Sequence, residues 1–116
     1  LEFPEQPDKA IMSGYRRLED IVRKRTDLTG EHSAKLFSAA FHKDKGVLDW
    51  GDIDPGEHAG RTNLFTGAYM AFRNRRAHQE PDPCAGGDLQ EFLLLNHLYV
   101  LEREAKKSKV EEMAEA

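Results

Sequence analysis

Cysteine is nearly absent from this sequence: Cys84 is the only one in 116 residues. No intrachain disulfide framework is available, and a zinc site built on several thiolates is excluded. A single thiol fits a reducing compartment, so the cytoplasm is the expected location. Long apolar runs are lacking too. Stretches such as Phe92–Leu95 fall far short of the roughly 20 residues that span a bilayer, so no membrane association is expected. The N-terminus, Leu1-Glu2-Phe3-Pro4, has neither the charged head nor the apolar stretch of a secretory leader. It also lacks an initiating Met, which reads as a fragment or processed form with part of its parent missing. Positive charge is in the minority, 17 Lys+Arg against 21 Asp+Glu, for a formal net charge of −4. A globally basic nucleic-acid binder is thereby excluded, although the total does not say where the charges sit.

Against these absences stand 39% hydrophobic and 33% charged residues, a balance that suits amphipathic helices with solvated outer faces. The length allows one domain. Apolar residues recur at helical spacing in four segments: 8–27, 31–42, 57–78 and 88–104. Gly14 is a candidate kink in the first. Gly30 is the expected stop before the second, with Thr29 as its cap. Asp88 is the expected cap of the fourth, whose leucines cover more than one face, as in a central helix or one that meets a partner chain. Small residues Gly60, Gly67, Ala68 and Ala71 in the third segment predict close approach of a neighbouring helix. Between the second and third, Val47, Leu48, Trp50 and Ile53 lie in a Gly/Asp-rich loop with no expected strand ladder. Pro81, Pro83, Gly86 and Gly87 form a rigid connector. The expected architecture is all-α, a compact bundle of about four helices over residues 1–104, followed by a charged tail, 105–116, helical or frayed. No βαβ pattern or phosphate-cradling Gly-rich loop is present, which leaves nucleotide-binding folds of that type unsupported.

The charge is unevenly distributed. From His58 to Gln79 there are four arginines, Arg61, Arg73, Arg75 and Arg76, and no Asp or Glu. Three of them fall in one hexapeptide, Arg73-Asn74-Arg75-Arg76-Ala77-His78. Cations at a helix C-terminus are stabilised by the macrodipole, so an ordinary helix stop accounts for this much. A functional reading rests on spacing. Asn74 and His78, at i and i+4, share a helical face, and Arg73 lies about 100° round from Asn74. Arg73 and His78 border one cleft if the last turn loosens or the helix lies against a partner. Imidazole can take the proton of a ribose 2′-hydroxyl or protonate a 5′-oxygen leaving group. Guanidinium offers a planar fork to the phosphate oxygens, and Asn74 can orient either group. One His does not easily serve as both acid and base, whereas two copies across a two-fold axis supply two. No cofactor or metal is called for.

Other constellations carry less. Asp49, Asp52 and Asp54 near Gly56 have the wrong spacing for an EF-hand loop and are expected to cap local backbone. His58 is expected at the surface, His42 at a helix end, and His97 in the core or an interface. No His pair has i, i+4 spacing, so a helical zinc site is not expected. Cys84, in the Pro/Gly connector, has no pairing His nearby in sequence, and Tyr69 and Phe72 belong to the apolar stripe.

Arg73-Asn74-x-x-x-His78 resembles the R-x4–6-H motif of the HEPN superfamily (higher eukaryotes and prokaryotes nucleotide-binding domains). With its lead-in Gly60, Leu64, Phe65, Gly67 and Ala68, the stretch is similar to the uncharacterised prokaryotic Ymh branch. Arg75 stands where that branch typically has Pro, which lets the helix continue and adds a charge. The resemblance implies an all-α fold, a homodimer with paired motifs at its interface, and metal-independent endoribonuclease chemistry in a defence or toxin–antitoxin setting. Arg73 and His78 would be catalytic, Asn74 supportive, and Arg61, Arg75 and Arg76 would bind RNA. An antitoxin, or the missing N-terminal region, would restrain the activity. The alternative it implies is a noncatalytic dimerisation or RNA-binding module of a larger protein.

Overall fold

A computed structural model describes residues 4–78 and 87–108, with the backbone alone at 77 and 78. The fold is all-α. Helix α1 spans Pro7–Thr26, α2 Ser33–Ala40, α3 Pro55–Ala68, α4 Asn74–His78 and α5 Asp88–Glu104. The third predicted segment is therefore two α-helices, joined without a break in the chain by a π-helical turn at Tyr69–Arg73. Cys84 and the Pro81–Gly86 part of the connector lie outside the described residues, as does the tail beyond Ser108.

Each helix begins and ends for local reasons. Pro7 opens α1, where its missing N–H costs nothing, and Asp8 faces the positive end of the dipole. The helix stops at Asp27, which adopts the left-handed conformation (φ 60°) and donates its N–H to the Arg23 carbonyl. The stop is thus three residues ahead of the predicted Gly30, because an Asp tolerates that conformation. Thr29 does not cap α2. The Ser33 N–H is instead bound by the buried Glu19 carboxylate of α1 at 3.1 Å, a long-range cap invisible in local sequence. Asp54 caps α3 through Gly56, and Asp49 binds the Gly51 N–H, as expected of that Asp-rich loop. The residue before α5 is Gly87 (φ 97°), not Asp88, whose carboxylate is engaged elsewhere.

The core is aromatic. Tyr15, Phe37, Phe65 and Tyr69 are fully buried, with Phe41 and Trp50 beside them. Phe37 and Phe41 each stack on Phe65 at 5.1 Å, and Phe41 stacks on Trp50 at 4.6 Å. Leu36 and Ala40 complete the inner face of α2, and Leu95, Leu98 and Leu101 that of α5. Gly14 does not kink α1. It admits α5: a Cβ there would lie 2.5 Å from Leu95 Cδ2, and its carbonyl accepts from the Tyr99 hydroxyl. Gly60 and Gly67 admit no neighbour, since both face open space. Leu64, Met70, Leu89 and Leu93 are exposed as well. His97 is exposed, which overturns its placement in the core.

Two further differences concern the chain ends of the bundle. Leu48–Asp49 (β1) pairs antiparallel with Lys106–Lys107 (β2), a short ladder that the interrupted apolar loop did not announce. The tail therefore starts as a docked strand. Ser108 is buried, its N–H on the Val47 carbonyl and its hydroxyl on that of Gly46. Arg25 and Trp50 anchor the end of α5: Arg25 binds the Glu102 carboxylate and the carbonyls of Glu102 and Ala105, and Trp50 Nε1 donates to Leu101. Gly46 has no room for a side chain. A Cβ would meet the His42 nitrogen and oxygen at 2.6 Å and the Ala40 oxygen at 2.7 Å. Because these are backbone atoms, Gly46→Ala is expected to destabilise by about 2–3 kcal/mol in urea unfolding, the upper part of the range for overpacking.

Candidate functional site

The hexapeptide predicted as the site begins in the last residue of the π turn and fills α4. A π turn takes one residue more than an α turn and occurs often at functional sites. Here it follows Ala68 and is held by Tyr69, whose ring meets Tyr15 edge-on at 5.0 Å and whose hydroxyl donates to the Tyr15 carbonyl. The loosening of the helix thus precedes Asn74 and His78, which remain i and i+4 in α4. The His78 side chain lies outside the described residues.

Arg73 is half-buried, and its Nε is a buried donor without a hydrogen-bond partner. No ion pair to Arg73 is present among the described residues. Asn74 turns toward the start of α2, where its Oδ1 accepts from Ser33 Oγ at 3.5 Å. Ser33 has φ 54°, a left-handed conformation uncommon for Ser. Arg75 is half-exposed, lies 5.7 Å over the Phe72 ring and is 3.7 Å from Glu91.

Arg76 stands differently. Its side chain is only 9% exposed, and its donors are directed at three carboxylates of this same fold. Nε and Nη2 grip both Glu91 oxygens at 2.8 Å, Nη1 reaches Asp8 at 2.6 Å, and Nη2 reaches Asp88 at 2.6 Å. Three acids around one cation would be unfavourable in isolation. Asp8, Asp88 and Glu91, however, all lie in first turns, where the dipoles of α1 and α5 favour negative charge. Hydrogen bonds to Glu91 first, then to Asp88 and Asp8, raise Arg76 further above its ordinary value against the opposing effect of burial. Sequence inspection missed these acids because they are 68, 12 and 15 residues away; the one available signal was their position at helix starts.

Arg61 is not part of this cluster. It lies twelve residues before Arg73, about 18 Å along a helix axis, pairs with Glu57 and Glu104, and covers the Trp50 ring at 5.5 Å. His58 is not merely at the surface: its Nε2 donates to the Phe41 carbonyl at 2.8 Å, with the ring edge-on to Trp50. A concavity of about 650 Å³ lies near the β ribbon and is lined by His42, Lys43, Asp52, Glu104 and Lys106 among others. His42 Nδ1 there accepts the Asp44 and Lys45 N–H groups. No cluster of His, Cys, Asp and Glu suited to a metal exists among the described residues.

The three tyrosines give a direct check on this packing. Burial pushes the Tyr15, Tyr69 and Tyr99 phenols above their usual range, and for Tyr15 the Glu91 carboxylate adds to the effect. Absorbance at about pH 10, the ordinary midpoint, is expected to show less phenolate than the half-ionisation of free tyrosine. The native state retains protons that the unfolded chain releases. The resulting stabilisation is complete below the unfolded value and is lost as pH climbs through the folded ones.

No helix among the described residues is long and apolar enough to cross a membrane. No curated protein and no solved structure matches the chain. A family model described as "Protein of unknown function (Hypoth_ymh)" matches residues 4–101. The matched span begins just ahead of α1 and reaches the last turn of α5, so it takes in the whole helical bundle and the Arg73–His78 stretch with its lead-in. On that match, the chain belongs to the Ymh family of proteins of unknown function.

Proposed function

We propose that this protein is a HEPN-like, metal-independent endoribonuclease that acts as a homodimer through Arg73 and His78. The observation that carries the reading is Arg73. A half-buried guanidinium whose Nε lacks a partner is costly to a fold and is suited to a polyanionic ligand. It opens the motif, on the longest acid-free stretch of the chain, 58–79. In the proposed reaction one imidazole takes the 2′-hydroxyl proton as that oxygen attacks the phosphorus. The bond to the 5′-oxygen breaks, and a second imidazole protonates it, leaving a 2′,3′-cyclic phosphate. Arg73 neutralises the charge that grows on the non-bridging oxygens, and Asn74 orients the reacting groups.

The second imidazole comes from a second copy. Gly60, Leu64 and Gly67 lie on one face of α3, open at both glycines, with Leu64 43% and Met70 66% exposed. That face runs toward α4, so a two-fold contact whose axis passes near its α4 end would bring two motifs together. Arg75 is the available RNA-binding cation beside them; Arg61 and Arg76 are already paired within the fold. We place this activity in the cytoplasm, in a defence or toxin–antitoxin setting where an antitoxin covers the arginines.

A noncatalytic RNA-binding or dimerisation module is the second reading, favoured by the net charge of −4 and by the internal pairing of Arg76. The two are separated by incubating the purified protein with RNA in EDTA. Cleavage ending in cyclic phosphates is expected; binding without turnover selects the RNA-binding module, and neither binding nor turnover removes both RNA readings and leaves dimerisation alone.

A further inference from the structure

Helix α4 has five residues, too few to hold itself together. It enters from a π turn rather than from a continuous α ladder. Its continuity with α3 runs through that turn alone, and the contacts of Arg76 add the tertiary hold on its rotation and axial position. Its guanidinium is bound to Asp8 in the first turn of α1 and to Asp88 and Glu91 in the first turn of α5, the two longest helices. The Tyr15 hydroxyl, from the middle of α1, donates to the same Glu91 carboxylate at 3.3 Å and fixes its orientation. Asn74 lies two residues before Arg76 and His78 two after. At about 100° per residue, both positions fall roughly 160° round the helix from Arg76. Turning Arg76 into the carboxylates thus presents the Asn74 and His78 face on the opposite side.

We propose that Arg76 is a positioning residue: the Asp8–Asp88–Glu91–Tyr15 cluster holds it so that α4 keeps Asn74 and His78 in register for the RNA chemistry. The kinetic part of this inference rests on the proposed ribonuclease reading; the structural part does not.

The test compares the full chain with Arg76→Met and Arg76→Lys. The first readout is the NMR signal of the Asn74 side-chain amide, assigned by its loss in Asn74→Asp, at a temperature where each variant is folded. Arg76→Met is expected to shift or broaden it while leaving the Trp50 indole signal in place. The second readout is RNA cleavage, expected to fall about 100-fold in kcat, the scale of an ångström-sized misplacement, with RNA affinity within threefold. Arg76→Lys keeps the charge without the fork and should fall between. If Arg76→Met does not fold, Glu91→Gln preserves volume and the Tyr15 contact, and is expected to move the Asn74 amide in the same sense. An unmoved Asn74 amide in a folded variant overturns the proposal. So does a parallel loss of RNA affinity with a shallower salt dependence, which would make Arg76 a phosphate contact. If the wild type does not cleave RNA, the ribonuclease reading fails and the Asn74 amide alone decides the positioning.

Discussion

His78→Ala is expected to lower RNA cleavage by about 10²–10⁴-fold, the usual contribution of a positioned general acid or base. RNA affinity should change less, because attraction to phosphate rests mainly on the arginines. Arg73→Ala should act on both quantities: it removes a cation from the bound state and from the transition state. Subunit mixing then tests the shared site. If one composite cleft needs both imidazoles, equal amounts of wild-type and His78→Ala subunits, after exchange, retain about one quarter of the wild-type activity, since only wild-type pairs are intact. Independent sites would retain about half. Harmless expression of the cleavage-competent protein, with no partner present, would remove the idea of a covering antitoxin.

Phe65→Ala should cost about 3–5 kcal/mol, the range for emptying a buried aromatic position. Phe65 is fully buried and lies between Phe37 and Phe41, each stacked on it at 5.1 Å, with Trp50 at 6.4 Å. These rings belong to α2, to its C-cap Phe41 and to the residue just after β1, so they have no easy way to collapse into the void. A domain of this length has about 6–17 kcal/mol of stability in total, so the loss is a large fraction of it. Urea unfolding should show a markedly lower midpoint with little change of slope. The same substitution at Leu64, three-sevenths exposed on the other side of α3, should be nearly silent in the monomer. Its effect would appear in the dimerisation constant instead.

Local pattern carried much of the fold. The periodic apolar residues of α1 were legible because one amphipathic period governs them, and the bounds of α5 because its apolar run lies between Gly87 and the charged residues that follow Leu101. What was not legible depended on distant groups. Glu19 caps α2 from another helix, and Lys106 and Lys107 pair with a loop 58 residues earlier, neither of which leaves a local trace. Gly60 and Gly67 look identical to Gly14 as small residues, yet only Gly14 meets a neighbour. Of the candidate site, the sharing of a face by Asn74 and His78 could be read from spacing. The division of labour among consecutive arginines could not. Arg73, Arg75 and Arg76 differ in burial and partners because each points a different way round the helix, and the acids that claim Arg76 lie in other elements.

The π turn at Tyr69–Arg73 also buffers the motif against a change in residue count. It behaves as one residue inserted into an otherwise α-helical rod. Because the turn absorbs that residue locally, removing one there, such as the exposed Met70, would restore a plain α-helix and leave Arg76 on its carboxylates and Asn74 on Ser33. An insertion or deletion in the regular turns of α3 would instead rotate everything after it by about 100° and shift it by about 1.5 Å. The π turn therefore lets the spacing between the Leu64-Phe65 lead-in and Arg73 change by one residue without re-aiming the hexapeptide.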